Sequence, residues 1–369
     1  MRSATRPIPS RMGARRFALA ASLALALATM LPFGGTAHTC VPDAEVGVGG
    51  RLLVPRASGL AIVSLPEREQ RSVPVLPVQG VITAVSSSPD RALLAVSRFW
   101  RPADHQIDGQ DILIVGADGG EPVGAISRGR PGEQLGSPTW LPDGSLVYER
   151  REVGSGGDTA RIERRAIDGT ESPLLFAGSA STGLVDGASS PAVSPDGTLL
   201  AFLRGDQSDR LVVRDLAGGP ERTLAQDSKL LGLAFPRFSP DGAWIAFAAV
   251  TDPALGADPR DPLASWLTTA LPGSGAGLIN RLGAGASWLG VRAARAHGLP
   301  WDIFVVRTDG SDARRVTYFY DDDPAAAWSP DGRWLVTFSG EALHVVALDG
   351  AANYCLAGEG GYGALEWLP

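Results

Sequence analysis

The sequence predicts an all-β fold, a six-bladed β-propeller built from four-stranded blades. Three observations predict it: a turn motif of the Ser-Pro-Asp-Gly type recurs, short apolar strands flank each copy, and half a repeat stands at either end of the chain. The composition agrees with this fold, because 46 glycines and 28 prolines among 369 residues suit many tight turns better than long helices.

The turn motif recurs five times, complete or in a close variant. Serine suits the first position of a type I turn, proline fixes φ at the second, and glycine suits the last. The five copies are Ser88-Pro89-Asp90, Leu141-Pro142-Asp143-Gly144, Ser194-Pro195-Asp196-Gly197, Ser239-Pro240-Asp241-Gly242 and Ser329-Pro330-Asp331-Gly332.

Each copy of the motif lies between two short apolar strands. In the unit around Asp196 these strands are Ala188–Val193 and Leu199–Leu203, and a third strand, Leu211–Leu216, ends at a Gly-Gly turn. Asp-Gly and Gly-Gly turns join antiparallel strands in tight hairpins. A shorter fourth strand, such as Arg314–Phe319, completes each unit as a four-stranded meander.

The spacing of the motif indicates an insertion in one unit. The turn aspartates lie 53, 53, 45 and 90 residues apart, and the long gap separates Asp241 from Asp331. In that unit 69 residues separate Asp241 from the second-turn glycine, Gly310, whereas the other units need 19 to 29. We therefore expect roughly 45 extra residues, within 251–300, between its second and third strands.

The insertion has a helical pattern, with apolar residues on one face of two stretches around Trp266 and Trp288. One interpretation is a helical hairpin that folds onto the propeller as a lid. The other is an exposed apolar element that docks on a partner protein or a membrane surface.

The two ends of the chain predict a closed ring. Residues Gly363–Pro369 copy the start of a unit, and the N-terminal region supplies strands at Arg51–Val54, Gly59–Leu65 and Ser72–Val75. A blade made of one C-terminal and three N-terminal strands closes the ring and removes the open sheet edge.

The repeat Trp328-Ser329-Pro330-Asp331-Gly332 resembles the W-S-P-D-G repeat of TolB-like and WD-repeat-like periplasmic propellers. The resemblance covers residues 50–369 and implies the propeller fold. The N-terminal α/β domain of TolB has no counterpart here, and the insertion is not part of the basic repeat. The partners of TolB are therefore not carried over to this chain.

The first 37 residues are typical of an export signal. Five arginines precede an apolar stretch from Phe17 to Phe33, and Gly35-Thr36-Ala37 suits cleavage after Ala37. An N-terminal membrane anchor is the alternative. Either interpretation predicts an exported protein that is periplasmic, extracellular or anchored on the outer face of the membrane. Residues 38–49 are then a linker between the signal and the propeller.

The net charge of the exported part argues against one class of partner, nucleic acid. Removal of residues 1–37 lowers the net charge from −7 to −12, and such an acidic domain is a poor binder of nucleic acid. We expect a monomer whose partner is a cell-envelope protein or a small ligand. Membrane proximity, through the N-terminal segment or the insertion, stays open.

The only two cysteines are Cys40 and Cys355. In an oxidising compartment such a pair favours a disulfide. Cys355 falls in the outer strand of the fifth unit and Cys40 just before the strands of the closing blade, so a bridge would fasten the ring. Free thiols, or lipidation of Cys40, are the alternatives.

Because successive strands of a meander run in opposite directions, alternate turns lie at opposite ends of the predicted propeller. The tight turns lie at one end, and the loops between second and third strands and the connections between blades lie at the other, which we call the long-loop face. Exposed loops on a rigid scaffold commonly bind ligands. The candidate binding residues of this face and its insertion are Arg101, Asp104, His105, Trp266, Trp288, Tyr320, Asp321, Asp322 and Asp323.

The sequence contains no local catalytic motif of the G-x-S-x-G, H-E-x-x-H or phosphate-loop type. The acidic run at 321–323 offers oxygens to a hard cation, but its spacing matches no calcium loop. His105, beside Asp104, is suited to acid–base work. We assign no catalytic residue, metal or cofactor and predict a non-enzymatic binding scaffold. The alternative is a propeller lyase or hydrolase with dispersed residues at the channel mouth.

Overall fold

The computed structural model describes residues 47–56, 59–75, 80–100, 109–127, 132–153, 159–167, 185–205, 210–225, 230–251, 301–340, 342–350, 352–357 and 360–369. The chain divides into two compact units, Met1–Ala37 and His38–Pro369, and every described residue belongs to the second. The predicted export signal and residues 252–300 of the predicted insertion lie outside the described residues. Within the described ranges, no helix is long and apolar enough to cross a membrane.

The described part of the chain is built from β-strands. They are β1 Gly50–Arg56, β2 Gly59–Leu65, β3 Glu69–Val73, β4 Val81–Ser87, β5 Leu93–Trp100, β6 Gly109–Gly116, β7 Gly119–Ile126, β8 Glu133–Trp140, β9 Leu146–Glu152, β10 Thr159–Arg165, β11 Val185–Asp186, β12 Ala188–Val193, β13 Leu199–Arg204, β14 Arg210–Asp215, β15 Arg222–Ala225, β16 Leu230–Phe238, β17 Trp244–Thr251, β18 Trp301–Arg307, β19 Arg314–Arg315, β20 Ala325–Trp328, β21 Trp334–Phe338, β22 Leu343–Ala347, β23 Asn353–Ala357 and β24 Glu366–Leu368.

Within each meander, strands that follow one another in the chain pair antiparallel, as the prediction requires. Three sheets, β12 to β15, β16 to β19 and β20 to β23, have four strands each. Strands β4 to β11 form one eight-stranded sheet, in which β6 and β8 meet at a single parallel pair, Gln110 with Gln134. The remaining sheet has the order β24-β1-β2-β3, with Arg51 opposite Leu368. The predicted sheet built from both ends of the chain is therefore present.

The repeated turns are held by the hydrogen bonds that their residue types predict. In the turn at 194–197, the Gly197 N–H donates to the Ser194 carbonyl at 2.9 Å, and Ser194 Oγ donates to Asp196 Oδ1 at 2.6 Å. The hydroxyl of Ser194 and the N–H of Thr198 hold the pKa of Asp196 below its ordinary value. Equivalent serine–aspartate hydrogen bonds are present at Asp90, Asp241 and Asp331.

Alternate residues of one strand pack into two different cores. In β17, Ile245 and Phe247 pack with residues of β13 and β14, whereas Ala246 and Ala248 pack with residues of β20 and β21. The second strand of a meander is thus covered by neighbouring sheets on both faces. This is why β17 reads as an unbroken apolar run rather than as an alternating strand.

The first strands of the meanders, β4, β8, β12, β16, β20 and β24, are called the inner strands. They contact one another in a closed circuit, each touching the next and β24 touching β4. Where the circuit closes, the Val85 N–H donates to the Ala364 carbonyl at 3.0 Å and the Ala364 N–H donates to the Thr83 carbonyl at 2.9 Å. Gly363 at this junction has φ of 118°, and a Cβ there would lie 2.8 Å from the Thr83 carbonyl oxygen. Only glycine fits such a close approach of two inner strands.

Candidate functional site

Four of the predicted binding residues, Tyr320 to Asp323, lie on the connection from β19 to β20, at the long-loop face. The backbone turns sharply there, because Tyr320 and Asp323 have φ of 57° and 51°. Residues other than glycine seldom adopt this left-handed conformation, and a tyrosine does so only when its surroundings hold it. The contacts of the connection identify what holds it.

A single buried carboxylate organises this connection. Asp302, at the start of β18, is completely buried, and its Oδ1 accepts hydrogen bonds from Thr317 Oγ1 at 2.9 Å and from the Phe319 N–H at 2.7 Å. Its Oδ2 accepts a hydrogen bond from Arg315 Nη2 at 2.5 Å. Burial raises the pKa of Asp302 to about 6, while Arg315, Thr317 and the Phe319 N–H limit that rise. Residues 315–319 are therefore tied to β18 through one side chain.

Arg315, which is bound to Asp302, also contacts two tyrosines of the connection. Its guanidinium lies 4.2 Å from the ring centroid of Tyr318 and 4.8 Å from that of Tyr320. Its Nε also donates to the Thr317 carbonyl at 2.9 Å. A cation over an aromatic face is attracted by the ring quadrupole, and Arg315 meets two such faces. Both half-buried tyrosines are thereby held in fixed positions at the long-loop face.

The three consecutive carboxylates have different environments. Asp321 is buried, and its carbonyl accepts the Trp301 N–H at 3.0 Å. The carboxylate of Asp322 accepts a hydrogen bond from Tyr362 Oη at 2.9 Å, and Asp323 is half-buried before Pro324. Among the described residues, no group of three or more His, Cys, Asp or Glu is placed to hold a metal ion.

Two further aromatic residues border the connection. Tyr362, between β23 and β24, keeps 45% of its surface exposed. Phe319 packs on the ring of His344 in β22, with 4.6 Å between the ring centroids. The connection thus rests on the neighbouring sheet, and its two tyrosines, Asp322 and Asp323 stay partly exposed.

The other predicted binding residues, Arg101, Asp104, His105, Trp266 and Trp288, lie outside the described residues. The described residues on either side of 252–300 are Thr251, the last residue of β17, and Trp301, the first of β18. Because the Trp301 N–H donates to the Asp321 carbonyl, the start of β18 lies beside the candidate site.

The predicted Cys40–Cys355 disulfide stays a prediction. Cys355 is buried in β23, as expected for the outer strand of its sheet, and Cys40 lies outside the described residues. Leu356, the neighbour of Cys355, packs in the same core as Val48, the second described residue of the chain.

Sequence analysis named Tyr320 to Asp323 but not the residues that contact them. Asp302, Arg315, Tyr318 and Tyr362 were not singled out, because no motif surrounds them. One available signal was an aspartate, Asp302, inside an apolar strand, since a buried charge needs a partner.

No protein-family model matches the chain, and no curated protein matches it. Among solved structures it is similar to the crystal structure of TolB from Acinetobacter baumannii, with 14% sequence identity over 87% of this chain and 67% of that chain and a TM-score of 0.53. A putative TolB from Agrobacterium tumefaciens has 16% identity, coverage of 88% and 100%, and a TM-score of 0.48. An acylaminoacyl peptidase in complex with a chloromethyl ketone has 12% identity, coverage of 62% and 33%, and a TM-score of 0.36.

The likeness to the Acinetobacter TolB defines the class of the protein: its fold is a TolB-like β-propeller. At this level of identity the likeness concerns the fold alone, and function has to be argued from the residues of the site.

Proposed function

We propose that this protein is an exported six-bladed propeller scaffold that binds a basic segment of a partner protein through its long-loop face. The observation that carries the proposal is the rigid presentation of tyrosines and carboxylates on the connection at 316–323. Tyrosine is enriched at interface hot spots because it buries a large area at a low cost in conformational entropy.

The charge of the site favours a basic partner. Asp322 and Asp323 are half-exposed beside Tyr320, and the whole chain has a net charge of −7. Carboxylates next to aromatic rings suit an arginine or lysine side chain, which gains an ion pair and a cation–π contact together. Binding is not expected to involve a bond-breaking step in the partner.

The closed circuit of six inner strands supports a six-bladed ring, with the eight-stranded sheet counted as two blades. Such a ring is a rigid frame for the loops at its ends. Export is proposed from the arginine-rich, apolar segment at 1–37, and the helical insertion at 251–300 is proposed to extend the binding face beside Trp301.

The proposal predicts a charge-dependent capture experiment. Residues 38–369 are immobilised and exposed to a cell-envelope extract of the source organism, beside an Asp322→Asn/Asp323→Asn variant. We expect the variant to retain the partner about tenfold less, because two carboxylates that face the partner are neutralised. Captured proteins are quantified by mass spectrometry.

The matched control is Glu67→Gln/Glu69→Gln, which makes the same charge change at exposed positions at and beside the tight β2–β3 turn, away from the long-loop face. Equal losses in both variants would mean that only net charge matters. Undiminished capture by the Asp322/Asp323 variant would remove this site from the interface.

A further inference from the structure

The repeated turns pack on one another from sheet to sheet. A Cβ built on the last residue of a turn would lie close to the proline Cδ of the preceding turn, at 2.5 Å for Gly197 and Pro142, 3.9 Å for Gly242 and Pro195, and 3.8 Å for Gly332 and Pro240. Neighbouring meanders are therefore in contact at the tight-turn end in three successive places.

A cleft takes the place of this contact where the ring closes. The turn at 329–332 lies next to the sheet β24-β1-β2-β3, whose first two strands come from opposite ends of the sequence, so no Ser-Pro-Asp-Gly turn joins them. Gly47–Gly50 and Pro369 stand at this place instead, and together with the turn they line a cleft of about 270 Å³. The cleft is thus a consequence of building one sheet from both ends of the chain.

Two tryptophans also line the cleft, and both are held in place. Trp367 is buried, and its Nε1 donates to the Gly49 carbonyl at 3.2 Å. Trp334 is half-buried and packs on the ring of Tyr354, with 5.7 Å between the ring centroids. Because Gly47 and Gly49 are exposed and have no side chains, backbone polar groups border the same cleft. Fixed aromatic rings with a few accessible polar groups are typical of ligand sites.

A paired aspartate and arginine complete the lining. Arg333 Nε donates to Asp331 Oδ2 at 2.7 Å, and the two side chains are 79% and 45% exposed. Burial acts to raise the pKa of Asp331, but hydrogen bonds from Ser329 and Arg333 outweigh it and hold the pKa below its ordinary value. The carboxylate is therefore ionised and only accepts hydrogen bonds. Within the part of the chain that the structure describes, Nε is the one hydrogen-bonded guanidinium nitrogen of Arg333, so both Nη groups can donate to a ligand.

These groups favour a neutral ligand rich in hydroxyl groups. The charges of Asp331 and Arg333 cancel, and the oxygen of Pro369 accepts a hydrogen bond from Arg51 Nε at 3.3 Å. A sugar hydroxyl both donates and accepts hydrogen bonds, and the C–H groups of a sugar ring form an apolar face that packs against an indole. The volume of the cleft lies just below the range of about 300–1,000 Å³ of pockets for drug-sized ligands, which suits a single ring.

We propose that this cleft binds one ring of a neutral sugar, either free or at the end of a glycan. Arg333 donates to one hydroxyl group, Asp331 accepts from the next, and the ring packs on the exposed part of Trp334. The site lies at the tight-turn end, away from the connection at 316–323, so it does not depend on the proposed protein-binding function.

The proposal is tested by fluorine NMR of residues 38–369, which form one compact unit, labelled with fluorotryptophan. Trp334→Phe and Trp244→Phe variants assign the resonances of these two half-buried tryptophans. The probes are glucose, galactose, mannose and N-acetylglucosamine, each beside its methyl glycoside, which has no free reducing end. We expect a saturable shift of the Trp334 resonance with at least one of these sugars and no shift for Trp244, which lies in another meander.

The Arg333→Gln variant removes the charged donor from an exposed side chain and is expected to leave the fold unchanged. Its half-saturating sugar concentration should rise about tenfold, because a charge-assisted hydrogen bond is lost. Arg71→Gln is the matched control, since Arg71 also forms an exposed ion pair, with Asp118 at 3.2 Å, but lies on β3 outside the cleft. We expect this control to bind sugar like the wild type.

A Trp334 resonance that responds to none of the sugars would overturn the proposal, as would an Arg333→Gln variant that binds as tightly as the wild type. Tighter binding of glucuronate than of glucose would contradict the assignment to a neutral sugar. Binding of a methyl glycoside identifies the end of a glycan as the ligand, whereas binding of free sugars alone identifies a free monosaccharide, and either result supports the site.

Discussion

Replacing Asp302 with alanine is expected to lower the free energy of unfolding by about 3–5 kcal/mol, the usual loss when one partner of a buried ion pair is removed. The variant leaves the Arg315 guanidinium opposite an apolar methyl group, and it deprives Thr317 Oγ1 and the Phe319 N–H of their acceptor. Denaturant unfolding at pH 8, where Asp302 is ionised in the native state, measures the loss.

Asp118→Ala is the matched control for this experiment. Asp118 also pairs with an arginine, Arg71, at 3.2 Å, but both side chains are more than half exposed, so the expected loss is at most about 1 kcal/mol. In the Asp302→Ala/Arg315→Met double variant, part of the first loss should be recovered, because no unpaired charge remains. Equal losses for Asp302→Ala and Asp118→Ala would contradict the anchoring role of Asp302.

Replacing Trp367 with alanine is expected to cost about 3–5 kcal/mol, as is usual for a buried tryptophan. Trp367 lies in β24, packs in the core shared by β1, β20 and β21, and donates from Nε1 to the Gly49 carbonyl at 3.2 Å. It therefore joins the last strand of the chain to the first, and its loss weakens the closure of the ring. Thermal and denaturant unfolding measure the change.

Trp244→Ala separates ring closure from the general effect of losing a tryptophan. Trp244 is half-buried at the edge of an apolar core and lies under the guanidinium groups of Arg307 and Arg314, 4.4 and 4.8 Å from its ring centroid. We expect its replacement to cost less than half as much as that of Trp367. A larger loss at Trp244 would mean that the contact between the two chain ends contributes little to stability.

The fold could be predicted from the sequence because the turn motifs that indicate it form their contacts locally. A Ser-Pro-Asp-Gly turn makes its hydrogen bonds within four or five residues, so the motif at 194–197 predicts its own contacts. Ring closure is a long-range feature, yet the copy of a unit start at Gly363–Pro369 predicted the pairing of β24 with β1. Strand ends were less accurate: the predicted strand Arg314–Phe319 is only two residues long in the structure, Arg314–Arg315.

Only part of the candidate site could be predicted from the sequence, because the contacts within it join residues that belong to no motif. The run at 321–323 reads as three equivalent carboxylates, but its members differ in burial because the chain turns through left-handed conformations at Tyr320 and Asp323. The hydrogen bond from the Phe319 N–H to Asp302 spans 17 residues of sequence, and that from Tyr362 Oη to Asp322 spans 40.

The central claim, that the long-loop face binds a protein partner, is tested most directly by site-specific photo-crosslinking in intact cells. A photoreactive phenylalanine analogue is placed at Tyr362, which is 45% exposed beside Asp322, and in a second chain at Val123, which is 70% exposed on β7. We predict a defined adduct with one protein at position 362 and none at position 123. An adduct only at position 123, or none at position 362 in a chain that is folded and exported, would contradict the account.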